Sequence, residues 1–305
     1  MNLPIDPTEN DLSPQELIQE LPSKAARRRV LQAADLSIDV DDQSFTEMLE
    51  ELSQIELRRA ASQLRFAGAR TIYYYRVEDL QQVSPDGAVG RVGDVGSPGA
   101  YGPEVQKALR EHNRIYVVCN VPKTGSQTQL TLSKDDRPTT VATFKPRTQL
   151  LAVRSPDDGT ADATAQAVLS YLGLEDASRV SFLDDGFRER FEDACVDGYS
   201  TVQLRHTTTS ANTKEIEVRS KESGDRNVSD VRPDAIVEDL LQRGDIELEK
   251  AGGLVSIPTT VQSIEHGERL HPRVTIRFPD GRVTFEQFVP EQILIELDDV
   301  VRKSL

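Results

Sequence analysis

The stretch RVTIRFPDGRVTFEQF, residues 273–288, decides the reading of the fold. Val274, Ile276 and Phe278 alternate with polar residues on one arm, and Val283 and Phe285 do so on the other. Pro279-Asp280-Gly281 lies between them, and each of these types suits a tight turn. Alternation with period two places the apolar set on one face, so this is a hairpin with one wet side. Antiparallel sheet is therefore expected, and other segments extend it. ARTIYYYRVEDL (69–80), RIYVVCNV (114–121), TQLTLS (128–133), TTVATFKP (139–146), QLLAVRS (149–155), YSTVQLRHT (199–207) and KEIEVRS (214–220) all read as strands.

Helical spacing governs the rest. SPQE (13–16) and SFTE (44–47) have the form of capping boxes. After the second, Phe45, Met48, Leu49, Leu52 and Ile55 recur at helical intervals, with Arg58 and Arg59 near the far end. SKAARRRVLQAA lies between, giving a module of three helices. GPEVQKALREH (102–112) is expected to be a short helix. Ala161, Ala165, Val168, Leu169 and Leu172 form one stripe that Gly173 ends. FLDDGFRERFEDAC, PDAIVEDLLQRG (233–244) and the segment from Pro290 to Lys303 complete the helices. The expected class is α+β: an N-terminal helical module, then mainly antiparallel sheet with helices on one face. The expected domains are 1–66, 67–175 with a glycine-rich loop, and 176–305. LLAVRS and EIEVRS each precede a polar loop, a helix and a glycine, which suggests a pseudo-repeat; chance identity of three residues competes with it.

Composition narrows function. Asp and Glu total 51 against 36 Lys and Arg, a net charge of −15, and Lys supplies 9 of those cations against 27 Arg. This balance resembles that of proteins from salt-loving archaea; an acidic chain from a GC-rich bacterium is the alternative. Solvated carboxylates stay soluble where salt screens repulsion. Acidity argues against nucleic acid, though less strongly in a proteome that is acidic throughout. No run of about 18 apolar residues occurs, so no membrane partner is expected. MNLPIDPTEND lacks the pattern of a signal peptide, and the expected location is cytoplasmic.

Catalytic patterns are scarce. GAVGRVGDVGSPGAYG (87–102) has a glycine at every third position. It is too short and too poor in proline for collagen. It lacks the Lys of a phosphate-binding loop and carries Asp94, so it reads as a loop or lid. His266 and His271 have no zinc-site spacing. Cys195 and His206 make a weak dyad, and Cys195 reads better as a small apolar residue. Paired carboxylates such as Asp157-Asp158 and Asp184-Asp185 read as solvation and helix caps. No cofactor and no metal are expected.

Against this acidic background one basic cluster stands out. Arg27, Arg28 and Arg29 lie on a short helix, with Arg58, Arg59, Arg65 and Arg70 near them in sequence. Tyr73, Tyr74 and Tyr75 follow on a strand, where an exposed tyrosine would suit an interface. These arginines and tyrosines form the expected partner-binding face, for a protein or a nucleic acid. Pairing with Glu16, Glu20, Glu47, Glu50 and Glu51 is the competing role. The helical segment 13–65, ARTIYYYRV and the two strand-VRS-helix units together resemble the organisation of the CENP-N type of chromosome-segregation protein. That resemblance implies a non-catalytic chromatin or partner-binding role, with N-terminal arginines facing DNA or protein. The acidic balance departs from it. The leading expectation is a non-catalytic binding protein. The alternative is an enzyme with a distributed carboxylate site under the 87–102 loop.

Overall fold

The computed structural model describes residues 13–21, 24–34, 36, 49–64, 71–90, 103–111, 113–121, 139–207, 215–220, 223–224, 227–228, 230–255, 272–286 and 289–305. The expected SFTE cap, the 128–133 strand, most of the glycine loop, Arg65, Arg70, His266 and His271 lie outside them. The protein is α+β, with N-terminal helices preceding antiparallel sheet. Its described residues fall into two units. One holds Ala69–Val180 and Asp280–Arg282; the other holds Ser181–Pro279, Val283–Leu305 and the N-terminal helices. The expected helical module is thus grouped with the C-terminal sheet.

In the first unit, strands β1 (Thr71–Arg76), β2 (Glu104–Glu111), β3 (Arg114–Asn120), β4 (Thr139–Phe144) and β5 (Leu150–Arg154) run in the order β2-β3-β4-β5-β1. Short β6 (Ser178–Arg179) pairs with β1. Every residue of β3 and β5 is buried, so both faces of these strands are covered. Such strands read as continuous apolar runs. One face packs Tyr73, Val117, Phe144 and Val153 with the helix Asp158–Leu172. Asp157 caps that helix by accepting from the Thr160 N–H at 2.8 Å. Gly173 ends it in the left-handed region. The expected stripe from Ala161 to Leu172 is buried as read.

The 102–112 expectation is corrected: Glu104–Glu111 is a strand, paired with β3 in antiparallel register from Glu104↔Asn120 to Glu111↔Arg114. EVQKALRE contains good helix formers, but that preference is worth only tenths of a kcal/mol per residue. A hydrogen-bonded place beside a fully buried strand overrides it. Asn113, at φ 58°, makes the turn between the two strands.

In the second unit, α1 (Pro14–Gln19), α2 (Lys24–Ala33) and α3 (Gln54–Ser62) share a core of Leu17, Ile18, Val30, Leu31, Leu57 and Ala60. The Ser13/Glu16 capping box forms as read, and a second box forms at Ser53/Glu56. That second cap corrects the reading of Ile55. The helix starts afresh at Ser53, which resets its phase. Leu57, Ala60 and Ala61 become the buried stripe, and Ile55 is left 80% exposed.

The sheet of this unit contains β7 (Val196–His206), β8 (Glu215–Arg219), β11 (Ile246–Val255), β12 (Arg273–Arg277) and β13 (Arg282–Phe285), in the order β13-β12-β11-β7-β8. A separate pair, β9 (Ser223–Gly224) and β10 (Asn227–Val228), stands beside it. The opening hairpin forms as read: Val274, Ile276, Phe278, Val283 and Phe285 are all fully buried. Phe278 also packs edge-on against Tyr199. Helix Asp185–Cys195 brings Phe187 and Phe191 against Phe182 in a ring cluster. The C-terminal helix Glu291–Ser304 begins on Gln63, whose backbone and side-chain carbonyls accept from the Glu291 and Gln292 N–H groups, both at 3.0 Å. It ends on Arg190, whose guanidinium donates to the Ser304 carbonyl at 2.6 and 3.0 Å. Both helix ends thus have partners. The two VRS segments occupy unlike places. Arg154 is buried in central β5, whereas Arg219 is exposed at the end of β8, which ends its sheet order.

Candidate functional site

The basic cluster divides by role. Helix α2 buries Ala26, Val30, Leu31 and Ala33, so Arg27, Arg28 and Arg29 take the remaining surface. Arg27 donates to the Gln19 carbonyl at 2.7 Å and the Leu21 carbonyl at 3.4 Å, closing the end of α1. Cations suit helix C-termini for this reason. Arg29 is partly covered, and burial lowers its pKa. Arg28 is exposed. Arg27 therefore contributes to the module itself.

Helix α3 is different. Its outer face carries Ile55, Arg58 and Arg59 at positions i, i+3 and i+4, which lie together on a helix. All three are exposed, and neither arginine makes an ion pair with a described residue. Arg59, in the last turn, also helps hold the Glu56 carboxyl below its ordinary range, after the Ser53 hydroxyl and amide have done most of that work. Helices α2 and α3 pack on one another.

The tyrosines are in the other unit and are core residues. Tyr73, Tyr74 and Tyr75 are 1%, 0% and 4% exposed. The physical reason is position: β1 pairs with β5 along its length and with β6 at Tyr75 and Arg76. Tyr73 and Tyr75 share one face, beneath the Arg179 guanidinium at 5.1 and 5.8 Å from their ring centres. Tyr75 donates to Asp162 at 2.8 Å. Burial pushes its hydroxyl pKa up, and the Asp162 carboxylate pushes it the same way. Arg179 bridges Asp158 at 2.7 Å and Asp162 at 2.9 Å, with Asp280 at 3.8 Å. Arg282 reaches Asp158 at 3.0 Å. Carboxylates that pair so closely with guanidinium groups hold the unit together rather than wait for a substrate.

Other candidate chemistry resolves in the same way. Asp157, Asp184 and Asp234 cap helices. Cys195 is buried, donates to the Phe191 carbonyl at 3.2 Å, and has its thiol pKa raised by burial. It precedes β7, and His206 ends β7, a separation of about 33 Å along an extended strand. The dyad is thereby excluded. Among the described residues no three His, Cys, Asp or Glu side chains form a metal-ligand group. No described helix is long and apolar enough to cross a membrane.

A cluster the sequence reading did not find lies in the second unit. Tyr199 donates to Glu192 at 3.0 Å, and Arg232 lies 3.7 Å from Glu192 and 2.7 Å from Asp230. Burial raises the Glu192 carboxyl pKa; the Tyr199 hydroxyl and Arg232 oppose that only in part. These residues come from a helix, a strand and a loop, so no local spacing announces them.

No family model matches the chain, and no curated protein matches it.

Proposed function

We propose that the protein is a non-catalytic binding protein whose contact face is the outer side of α3. One observation carries this reading: an isoleucine 80% exposed, flanked by two arginines that make no ion pair with a described residue, on a chain of net charge −15. Where most cations are engaged by local carboxylates or carbonyls, uncommitted guanidinium groups are the part of the surface that attracts an anion. The adjacent apolar side chain selects the partner. A phosphate backbone offers nothing to Ile55, whereas an acidic protein segment carrying leucine or isoleucine satisfies both the charge and the apolar contact. The partner class is therefore an acidic, amphipathic protein segment.

The acidic composition supports a working environment of high salt in the cytoplasm, where an apolar anchor retains its strength while exposed charge pairs weaken. The test uses fluorescence anisotropy of the full chain in concentrated KCl. The probes are a labelled peptide of alternating Glu and Leu blocks and a labelled DNA duplex. The expected result is peptide binding that weakens at least about tenfold in Arg58→Glu/Arg59→Glu and in Ile55→Ser. Equal peptide binding by wild type and variants would remove this face. Tighter binding to the duplex, lost in the arginine variant, would replace the reading with a chromosome-associated one.

A further inference from the structure

The wet face of the second unit's sheet contains a cleft of about 140 Å³, room for roughly four waters. Its floor is Gly252 on β11. In register with it stand Thr201 on β7 and Thr275 on β12, one on each side. A Cβ placed on Gly252 would lie 3.3 Å from the Thr201 hydroxyl and 3.9 Å from the Thr275 hydroxyl. Both hydroxyls therefore border the space that the missing side chain leaves. Neither has a hydrogen-bond partner among the described residues. They are a pair of donors, held by three strands, aimed at one small volume.

The rim gives the charge. Lys250, two residues along β11, lines the cleft and makes no ion pair with a described residue. Arg273 also lines it, with Glu286 no closer than 3.9 Å. Glu217 pairs with Arg219 at 2.8 Å, and the Lys250 charge also helps lower its pKa. With those two pairs set aside, Lys250 is the lining cation that makes no ion pair with a described residue, and two hydroxyl groups border the same cleft. The site thus matches a single negative charge with two acceptor atoms. A dianion would meet the Glu217 and Glu286 carboxylates on the rim without a second free cation to offset them.

From this we infer that the Thr201–Gly252–Thr275 cleft is a binding site for a small monoanionic carboxylate, its two oxygens received by the threonine hydroxyls and its charge by Lys250. Arg273 closes the side toward β12. A carboxylate is planar and compact, and charge-assisted hydrogen bonds from hydroxyl and ammonium donors are the strong class of such contacts. The glycine is required because any side chain at 252 fills the seat. This inference rests on the sheet face alone and stands apart from the α3 reading.

The test is an NMR titration of ¹⁵N-labelled full chain at constant ionic strength. Acetate, inorganic phosphate and a short alanine peptide with a free or an amidated C-terminus are added in separate experiments. Acetate is expected to give saturable shifts at the amides of Thr201, Gly252 and Thr275. Lys250→Gln and Gly252→Ala are each expected to weaken it at least about tenfold. Circular dichroism checks that Gly252→Ala keeps the sheet, and Lys250→Gln, on the open face, tests the site without touching its floor. A free-ended peptide that binds more tightly than acetate, with the amidated form silent, assigns the carboxylate to a chain terminus; equal binding assigns it to a small acid. Absence of saturable shifts with acetate, phosphate binding as tight as acetate, or indifference to Lys250→Gln would overturn the inference.

Discussion

The strands of the two units handle their surfaces in opposite ways. In the first unit, β3 and β5 bury every residue, and even Arg154 and Asn120 are almost wholly covered. In the second, β12 and β13 alternate strictly between half-open polar positions and buried apolar ones, and β8 carries an exposed residue at every other position. A strand covered on both faces spends all its side chains on packing. One covered on a single face leaves every second position available for chemistry. One cation from each unit differs as well. Arg179 in the first unit is engaged by three aspartates, while Lys250 in the second makes no ion pair with a described residue, although its charge helps lower the Glu217 pKa.

The contrast can be broken most forcefully at the covered face of the second sheet. Phe278→Ala is expected to cost about 3–5 kcal/mol, because the ring is fully buried and packs edge-on against Tyr199. Urea unfolding measures it. A loss below about 1 kcal/mol would show that this face is as tolerant as the open one.

Gly253→Ala is expected to cost about 1–3 kcal/mol. A Cβ there would sit 2.1 Å from the Gly198 carbonyl oxygen, inside the β7–β11 pairing. Hydrogen exchange should show earlier opening at Tyr199 and Leu254, with β3 unchanged; uniform loosening of both units would contradict so local a clash.

The pH profile sharpens the comparison further. The Glu192 carboxyl has a folded pKa above its ordinary 4.5, chiefly through burial, so the folded protein holds that proton more tightly than the unfolded chain. This contribution is full below pH 4.5 and is lost as pH rises through the raised folded value. Asp230 runs the other way: bonds from Arg232 and the Tyr199 amide outweigh its burial and lower its pKa. Its stabilisation is present above its ordinary 3.8 and fades as pH falls through the lower folded value. Glu192→Gln should remove the fall in stability above pH 4.5. Identical slopes in wild type and variant would discard that assignment.

The smallest expected effect is Ile55→Ser. Stability should stay within about 0.5 kcal/mol, since the side chain is already in solvent, whereas Leu57→Ala, two residues away, should cost about 2–5 kcal/mol. Thermal melts of the pair decide this, and similar losses in both would mean that the helix phase set by Ser53 is wrong.

Much of the fold was legible where local pattern and tertiary demand agree. The 273–288 hairpin, the Ser13 cap and the stripe ended by Gly173 all follow from period and capping chemistry. Strand β11 was not seen, because IELEKAGGLV alternates poorly around its bulges and holds two glycines in succession. The residues of Glu104–Glu111 favour a helix locally, and pairing with β3 makes them a strand. Of the expected binding residues, Arg58 and Arg59 are exposed. Arg27 serves a helix end, and the three tyrosines are core, because their strand pairs on both sides at its far end.

By itself the sequence determined the class of structure, the helix ends and the apolar face of each clear element. These depend on neighbours within a turn or a hairpin, and such neighbours are written in order along the chain. Only the tertiary structure decided which sheet face stays wet, which arginines are consumed by carbonyls and carboxylates, and that Thr201, Gly252 and Thr275 share one cleft. Those outcomes depend on strands far apart in the chain becoming adjacent. Burial and hydrogen-bond partnership are set by adjacency in space, which no local spacing encodes.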